Sequence, residues 1–343
     1  MREERTIPNA KKQPIAMAVA ASSLTRVSER TSEMKPALSS PATSAPAAHG
    51  VPGGAGSAPL PTKPLRIITY NTEAHLDPPT AMEDLAVLMR RHPDIVSLQE
   101  MASPEKRRMI RETYVDCEGC VWGTNMPGPP VPGETPILYR ADRFELKDSG
   151  SVQVTEPTYV GPAGAGPSTI NAKFVNWVRL TDLETGRPVY VLNNHAVPSV
   201  QSKTGGPNRR SPARLKIYRQ HMDGLQGLLR DITEHHWGLV FVTGDLNVNF
   251  RRDRVLEPKI FPYRKLGEVG LEASYQALSE PSIGTHTLRS GNDTRLIDYV
   301  YFLPRKPLQP AGQHIVRGLA SDHRPLVVDF DVKVSRQVDT TSP

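Results

Sequence analysis

Six short segments of this sequence place carboxylates, amides or imidazoles where apolar runs stop. Asn71 closes Leu65-Arg-Ile-Ile-Thr-Tyr, Gln99-Glu100 closes Asp94-Ile-Val-Ser-Leu, and Asn194-His195 closes Val189-Tyr-Val-Leu-Asn. Gly244-Asp245-Leu246-Asn247 follows Leu239-Val-Phe-Val-Thr, Asp298 sits in Leu296-Ile-Asp-Tyr-Val-Tyr-Phe, and Ser321-Asp322-His323 precedes the last apolar run. A carboxylate at the mouth of a buried strand, as Glu100 would be, suits a hard cation such as Mg²⁺ or Mn²⁺. It equally suits the first turn of a following helix. Asp245 and Asn247 are two apart, so in extended chain they point the same way, one charged and one a neutral donor and acceptor. That pair could orient a water against a phosphoryl group, although the tetrapeptide also reads as an ordinary Asx-rich turn. In Ser321-Asp322-His323 an imidazole that titrates near neutrality stands beside a carboxylate, the make-up of a general base. Alternatively, Asp322 binds metal and a more distant carboxylate orients the ring. Asp298 is a costly group to bury alone, so a histidine partner is expected unless the strand is an edge facing solvent. With His195, the chain holds two strand-end histidines, enough for an acid/base pair.

These side chains need a scaffold of strand ends. Strands are expected over 65–71, 94–100, 136–140, 151–155, 172–182, 188–195, 239–243, 296–303, 313–316 and 325–332, from β-branched and aromatic runs bounded by turn residues. Asp77-Pro78-Pro79 reads as a helix start, with Met82, Leu85, Leu88 and Met89 at helical spacing and Pro93 as the stop. Ser211-Pro212 starts a longer helix with Leu215, Tyr218, Met222, Leu225, Leu229 and Ile232 on one side. Many short strands and few helices argue for a strand-rich α/β domain with packed sheets.

The rest of the chain narrows the class. The 343 residues include only Cys117 and Cys120, which excludes a disulfide-built mini-protein and cannot fill a four-ligand zinc site. A small disulfide loop and two free thiols in a turn are both open readings. No run approaches the ~20 apolar residues of a membrane span, so no stable membrane insertion is expected. Residues 34–64 hold seven Pro, seven Ala, four Gly and four Ser, too little apolar area to offset chain entropy, so residues 1–63 read as a disordered extension. Lys11-Lys12 ahead of Ile15-Ala-Met-Ala-Val-Ala-Ala also has the ingredients of a secretory signal, so cytoplasmic and exported locations both stay open. The catalytic domain is expected over 64–334, with a flexible tail at 335–343.

Taken in order, the six segments resemble the endonuclease/exonuclease/phosphatase superfamily, the DNase I-like fold, across about residues 65–332. The resemblance implies a four-layer α/β/β/α sandwich with two central mixed sheets flanked by helices. It also implies divalent-metal-dependent cleavage of a phosphoester by an activated water, with Mg²⁺ or Mn²⁺ as cofactor. Carried over, Glu100 would be the principal metal ligand with Asn71 and Asp322 nearby. His323 would be the general base, and Asp245 and Asn247 would hold the nucleophile and phosphoryl oxygens. His195 would face the phosphate and assist the leaving group, with Asp298 orienting one of the two histidines, assigned here to His195.

The resemblance makes His195 a discriminator. Abasic-site repair nucleases of this fold usually carry an Asn-rich segment there, whereas DNase I-type nucleases, neutral sphingomyelinases and the phosphatase branches resemble this chain more closely. Net charge is +6, and four of those charges are in residues 1–63. The remainder is concentrated locally: Lys203, Arg209, Arg210, Arg214, Lys216 and Arg219 follow His195, and Arg251, Arg252 and Arg254 follow Asn247. Both clusters flank strand ends that carry chemistry, which favours a phosphate rim over a merely solvated face. Arg209, Arg210, Arg214 and Arg251 are the substrate-binding candidates. The expectation is a monomeric nuclease acting on nucleic acid, with a sphingomyelinase-like or small-molecule phosphodiesterase or phosphatase as the alternative. An inactive binding protein on the same fold is the reading from another class, disfavoured because none of the six segments is degraded.

Overall fold

A computed structural model of the protein describes residues 60–128, 134–161, 169–286 and 295–335. The expected extension falls outside these residues up to residue 59, and the expected tail does so beyond residue 335. In chain order the first elements are β1 (Thr62–Asn71), α1 (Pro78–Met89), β2 (Ile95–Gln99), α2 (Pro104–Ile110), β3 (Trp122–Asn125) and β4 (Ile137–Arg140). There follow β5 (Phe144–Gln153), the short pair β6 (Thr158–Tyr159) and β7 (Thr169–Ile170), β8 (Phe174–Asp182) and β9 (Arg187–His195). Then come α3 (Pro212–His235), β10 (Leu239–Asp245), α4 (Phe250–Leu256), α5 (Pro262–Gly267), β11 (Glu272–Ala273) and α6 (Ser274–Ala277). The last are β12 (Asp298–Phe302), β13 (Leu308–Ile315) and β14 (Leu326–Lys333).

Two six-stranded mixed sheets result, ordered β13-β14-β1-β2-β4-β3 and β11-β12-β10-β9-β8-β5. Period-two alternation in β1 explains the layering. Ile67 faces the inter-sheet core, while Ile68 and Tyr70 face outward with Leu85 and Leu88 of α1 and Ile110 of α2. Phe330 of β14 meets Phe241 and Phe302 of the second sheet edge-on, at 5.1 and 5.4 Å. On the far side, Ile217, Met222, Leu225 and Leu229 of α3 join the same core. The four-layer α/β/β/α sandwich is therefore present.

Differences from the sequence reading have local causes. β1 reaches back to Thr62, into the last residues of the expected linker, because Thr62 and Lys63 pair with Lys333 and Val332 of β14. β5 begins at Phe144 rather than at 151; its side chains are mostly exposed, which leaves no apolar pattern to mark it. Asp298 opens β12 rather than lying inside it. Cys117 and Cys120 are bonded to each other. Among the described residues no helix is long and apolar enough to cross a membrane.

Buried polar groups pin the two sheets together. At the end carrying the polar segments, Gln99 Nε2 donates to Asn193 Oδ1 at 2.8 Å, and Asn193 Nδ2 donates to the Leu98 carbonyl at 2.7 Å. At the other end, buried Arg143 grips Asp182 at 3.0 Å and Asp94 at 3.0 Å.

Candidate active site

Strand pairing alone assembles half of the site. Asp245, the last residue of β10, lies opposite His195 on parallel β9 and opposite Asp298 on antiparallel β12. The three residues thus form one row across adjacent strands. In the other sheet, Asn71 of β1 stands opposite Gln99 of β2, and Glu100 follows directly. Gly244 makes the close strand approach work: its φ is +137°, and a Cβ there would lie 1.9 Å from the Asn194 carbonyl oxygen.

The two sheets meet at Asn71. Its Nδ2 donates to Glu100 Oε1 at 3.0 Å and to Asp245 Oδ2 at 3.2 Å. Its Oδ1 accepts from the Glu73 backbone N–H. Asn247 closes onto the same carboxylate, not through continued extended chain but in the left-handed region (φ +53°). Its backbone N–H and Nδ2 donate to Asp245 at 2.8 and 3.1 Å. The Asx turn and the pairing of Asp245 with Asn247 are one arrangement.

Each histidine is fixed at Nδ1 by a different carboxylate. His323 Nδ1 lies 2.9 Å from Asp298 Oδ2. Asp298 therefore orients His323 and not His195, correcting the assignment made from sequence: β12 delivers Asp298 beside the β13–β14 loop. His195 Nδ1 lies 2.6 Å from Glu134, a residue the sequence reading did not single out. Lys173 Nζ donates to the same oxygen, Oε1, at 3.0 Å and to Oε2 at 3.3 Å. Both working nitrogens then converge: His195 Nε2 and His323 Nε2 are each 3.7 Å from Asp245 Oδ2. His195 Nε2 is also 3.7 Å from Glu100 Oε1.

Charge follows this geometry. Burial opposes ionisation of Glu134, but His195 and Lys173 outweigh it and hold its carboxyl well below the ordinary range. Burial also disfavours a charge on His323, yet Asp298 and Asp245 push its imidazole up to about 10. Burial and the facing Asp298 raise Asp245. Glu100 is lowered: burial works against its charge, and His195 and Asn71 overcome it.

Ser321 fixes the third element of the site, its hydroxyl donating to the Asn71 carbonyl and accepting from the His323 N–H. Asp322 stands at the half-exposed rim, its N–H on Glu73 Oε2 at 3.0 Å. Burial raises its carboxyl, and Glu73 and Glu100 add repulsion. His286, also unmarked in the sequence reading, meets the His323 ring edge-on at 4.8 Å between centroids and places Nε2 3.8 Å from Asp322.

Asn71, Glu100 and Asp322 offer oxygen donors, and the crowding of Glu100, Glu73 and Asp322 is negative charge that a hard divalent cation relieves. Among the described His and carboxylate donors, two sets of three lie within 4.8 Å of one another: Asp245 with Asp298 and His323, and His286 with Asp322 and His323.

The basic candidates are dispersed. Arg209 and Arg210 are exposed on the loop after β9. Arg214, in the first turn of α3, donates to the Pro198 carbonyl at 3.5 Å. Arg251 is not open to substrate in the way expected: its guanidinium is bound to Glu280 at 2.9 Å and to the Pro281 carbonyl at 2.6 Å. Its neighbour Arg252 instead lines a cleft beside Asn247.

No protein-family model matches the chain, and no curated protein does. Solved structures do. The chain is similar to an endonuclease/exonuclease/phosphatase family protein from Bacteroides thetaiotaomicron, at 17% identity over 80% of this chain and 97% of that one, with a TM-score of 0.55. It is similar to D. rerio TDP2 complexed with single-strand DNA product (16%, 78% and 98%, 0.55). A mannosyl-6-phosphatase of Bacteroides thetaiotaomicron is a third such structure (19%, 78% and 99%, 0.53). The chain has the endonuclease/exonuclease/phosphatase fold, DNase I-like in architecture.

Proposed function

We propose that this protein is a divalent-metal-dependent hydrolase that cleaves a phosphodiester, in the manner of a DNase I-like nuclease, through attack by an activated water. The observation that carries the proposal is the convergence of two imidazoles, each anchored by its own carboxylate, on a single oxygen of Asp245. Solvating one buried Asp does not require two separately braced histidines. Acting on a phosphoryl centre does, since charge develops there on several oxygens at once.

In this reading Glu100, Asn71 and Asp322 hold Mg²⁺ or Mn²⁺. When bound, the ion supplies charge neutralisation at a phosphoryl oxygen. The chain's own groups divide the protons. Asp245, raised by burial and held by Asn247, takes the proton of the attacking water. His323, an imidazolium at neutral pH, donates from Nε2 to a phosphoryl oxygen. His195, with Nδ1 fixed on Glu134, assists the leaving oxygen. In this reading Asp245 takes the base role expected for His323, since Asp298 and Asp245 both favour the protonated imidazole.

A nucleic-acid substrate is supported by the basic cleft beside Asn247 and by the DNA product named for the similar TDP2 structure. The test is a substrate panel with metal omission: plasmid and single-stranded DNA, RNA, bis(p-nitrophenyl) phosphate, sphingomyelin and sugar phosphates. Metal-dependent cleavage of nucleic acid and the model diester is expected, lowered on the order of 10²-fold or more by Glu100→Ala with an unchanged circular dichroism spectrum. Activity without metal, or on monoesters alone, contradicts the proposal; loss of the folded state in Glu100→Ala makes Glu100 structural.

A further inference from the structure

The carboxylate-rich centre ends abruptly. On the far side of Asn247 and His286 opens a cleft of about 670 Å³ whose described lining contains no Asp or Glu. Instead it carries Lys203, Arg252 and Arg295 among neutral amides and hydroxyls. Lys203 and Arg252 form no ion pair with any described residue. Arg295 donates to His286 Nδ1 at 2.7 Å, which joins this edge of the cleft to the catalytic candidates.

The cleft wall is built rather than loose. Gln201 accepts from the Asn249 N–H at 2.9 Å and donates to the Gly205 carbonyl at 3.0 Å, joining the loop after β9 to the start of α4. Gly205, at φ +97°, packs so closely on the Arg252 stem that a Cβ would lie 2.7 Å from Arg252 Cβ. The contact is at the base of the Arg252 side chain, whose remainder is exposed.

Resting on the proposed phosphoester chemistry, we infer that the substrate carries a second anionic phosphoryl group beyond the scissile one, and that Lys203, Arg252 and Arg295 bind it. The Lys203 ammonium and the Arg252 guanidinium, which pair with no described carboxylate, match phosphate, and Arg does so with paired N–H groups. The quaternary ammonium of a choline headgroup meets like charge in this cleft, which argues against the sphingomyelinase-like reading. The second phosphate belongs either to the adjoining residue of a nucleic-acid strand or to a small bisphosphate.

The deciding experiment uses the double variant Lys203→Met/Arg252→Met, which keeps both stems and removes both charges, with its fold checked by circular dichroism. Inorganic pyrophosphate is titrated calorimetrically into the full chain in EDTA, where the cleft is read without turnover. One-to-one binding weakened about tenfold or more in the double variant is expected, with no competition from choline. No binding by the wild type, or equal binding by both proteins, overturns the inference, whether or not the protein proves to be a hydrolase. Displacement by a thymidine octanucleotide assigns the phosphate to a strand; displacement only by thymidine 3′,5′-bisphosphate assigns it to a small molecule. Kinetically, kcat/KM for a 5′-phosphorylated dinucleotide relative to bis(p-nitrophenyl) phosphate falls about tenfold in the double variant, and an unchanged ratio contradicts the inference.

Discussion

Glu134 and Asp298 do the same work from opposite sides of the site. Each carboxylate binds one Nδ1 and thereby leaves Nε2 as the nitrogen that faces Asp245. Replacing Glu134 by Gln keeps the shape but removes the charge, so the His195 ring loses its fixed tautomer and Lys173 loses its counter-charge. The expected result is a fall in kcat/KM on the order of 10²–10⁴-fold with the fold retained, read by steady-state hydrolysis of a model diester beside circular dichroism. Activity within twofold of wild type would make the His195–Glu134 contact ornamental to turnover. Glu134 shows where a sequence reading runs out. It lies between Pro- and Gly-rich residues, outside any periodic run, and only the tertiary approach of His195, 61 residues away, gives it a role. His286 was hidden for the same reason.

Elements explain why the other residues were legible. Asn71, Glu100, His195, Asp245 and Asp298 terminate or begin strands that are buried on both faces, so long apolar runs pointed straight at them. Register, which fixes the row His195–Asp245–Asp298, is not written in those runs; it follows from pairing across the sheet. That is why Asp298 was matched with the wrong histidine. The elements that were missed lack a pattern: β3 is four half-buried residues, and α4 and α5 are seven and six residues long. Register also depends on Gly244. A methyl group there meets the Asn194 carbonyl, and the φ of +137° is strained for any other residue. Gly244→Ala is expected to destabilise the domain by roughly 2–4 kcal/mol, measured by denaturant unfolding. A midpoint equal to wild type would show that β9 and β10 separate at no cost.

At the scale of the molecule, two sheets are held face to face by an apolar core with polar pins at each end, and the row His195–Asp245–Asp298 sits at one of them. Just outside that end, α3 buries His221 against Asn194, with Nε2 3.0 Å from Asn194 Oδ1. Burial, helped by Lys173 and His195, lowers its imidazole to about 3. A histidine kept neutral in the fold but free to charge when unfolded favours the unfolded chain as pH falls. Stability should therefore decline from about pH 6.5 toward 3, and His221→Gln should flatten that part of the profile, as read by urea midpoints at stepped pH. An identical slope in the variant would place the titration elsewhere.

Whether two histidines from different sheets serve one reacting centre is best measured by a double-mutant cycle on metal-dependent diester hydrolysis. His195→Ala and His323→Ala are each expected to remove most of kcat, and the double variant to be little worse than the poorer single one, because both act in one transition state. Full activity in either single variant, or losses that multiply independently in the double, would mean that the two imidazoles near Asp245 do not share a scissile bond.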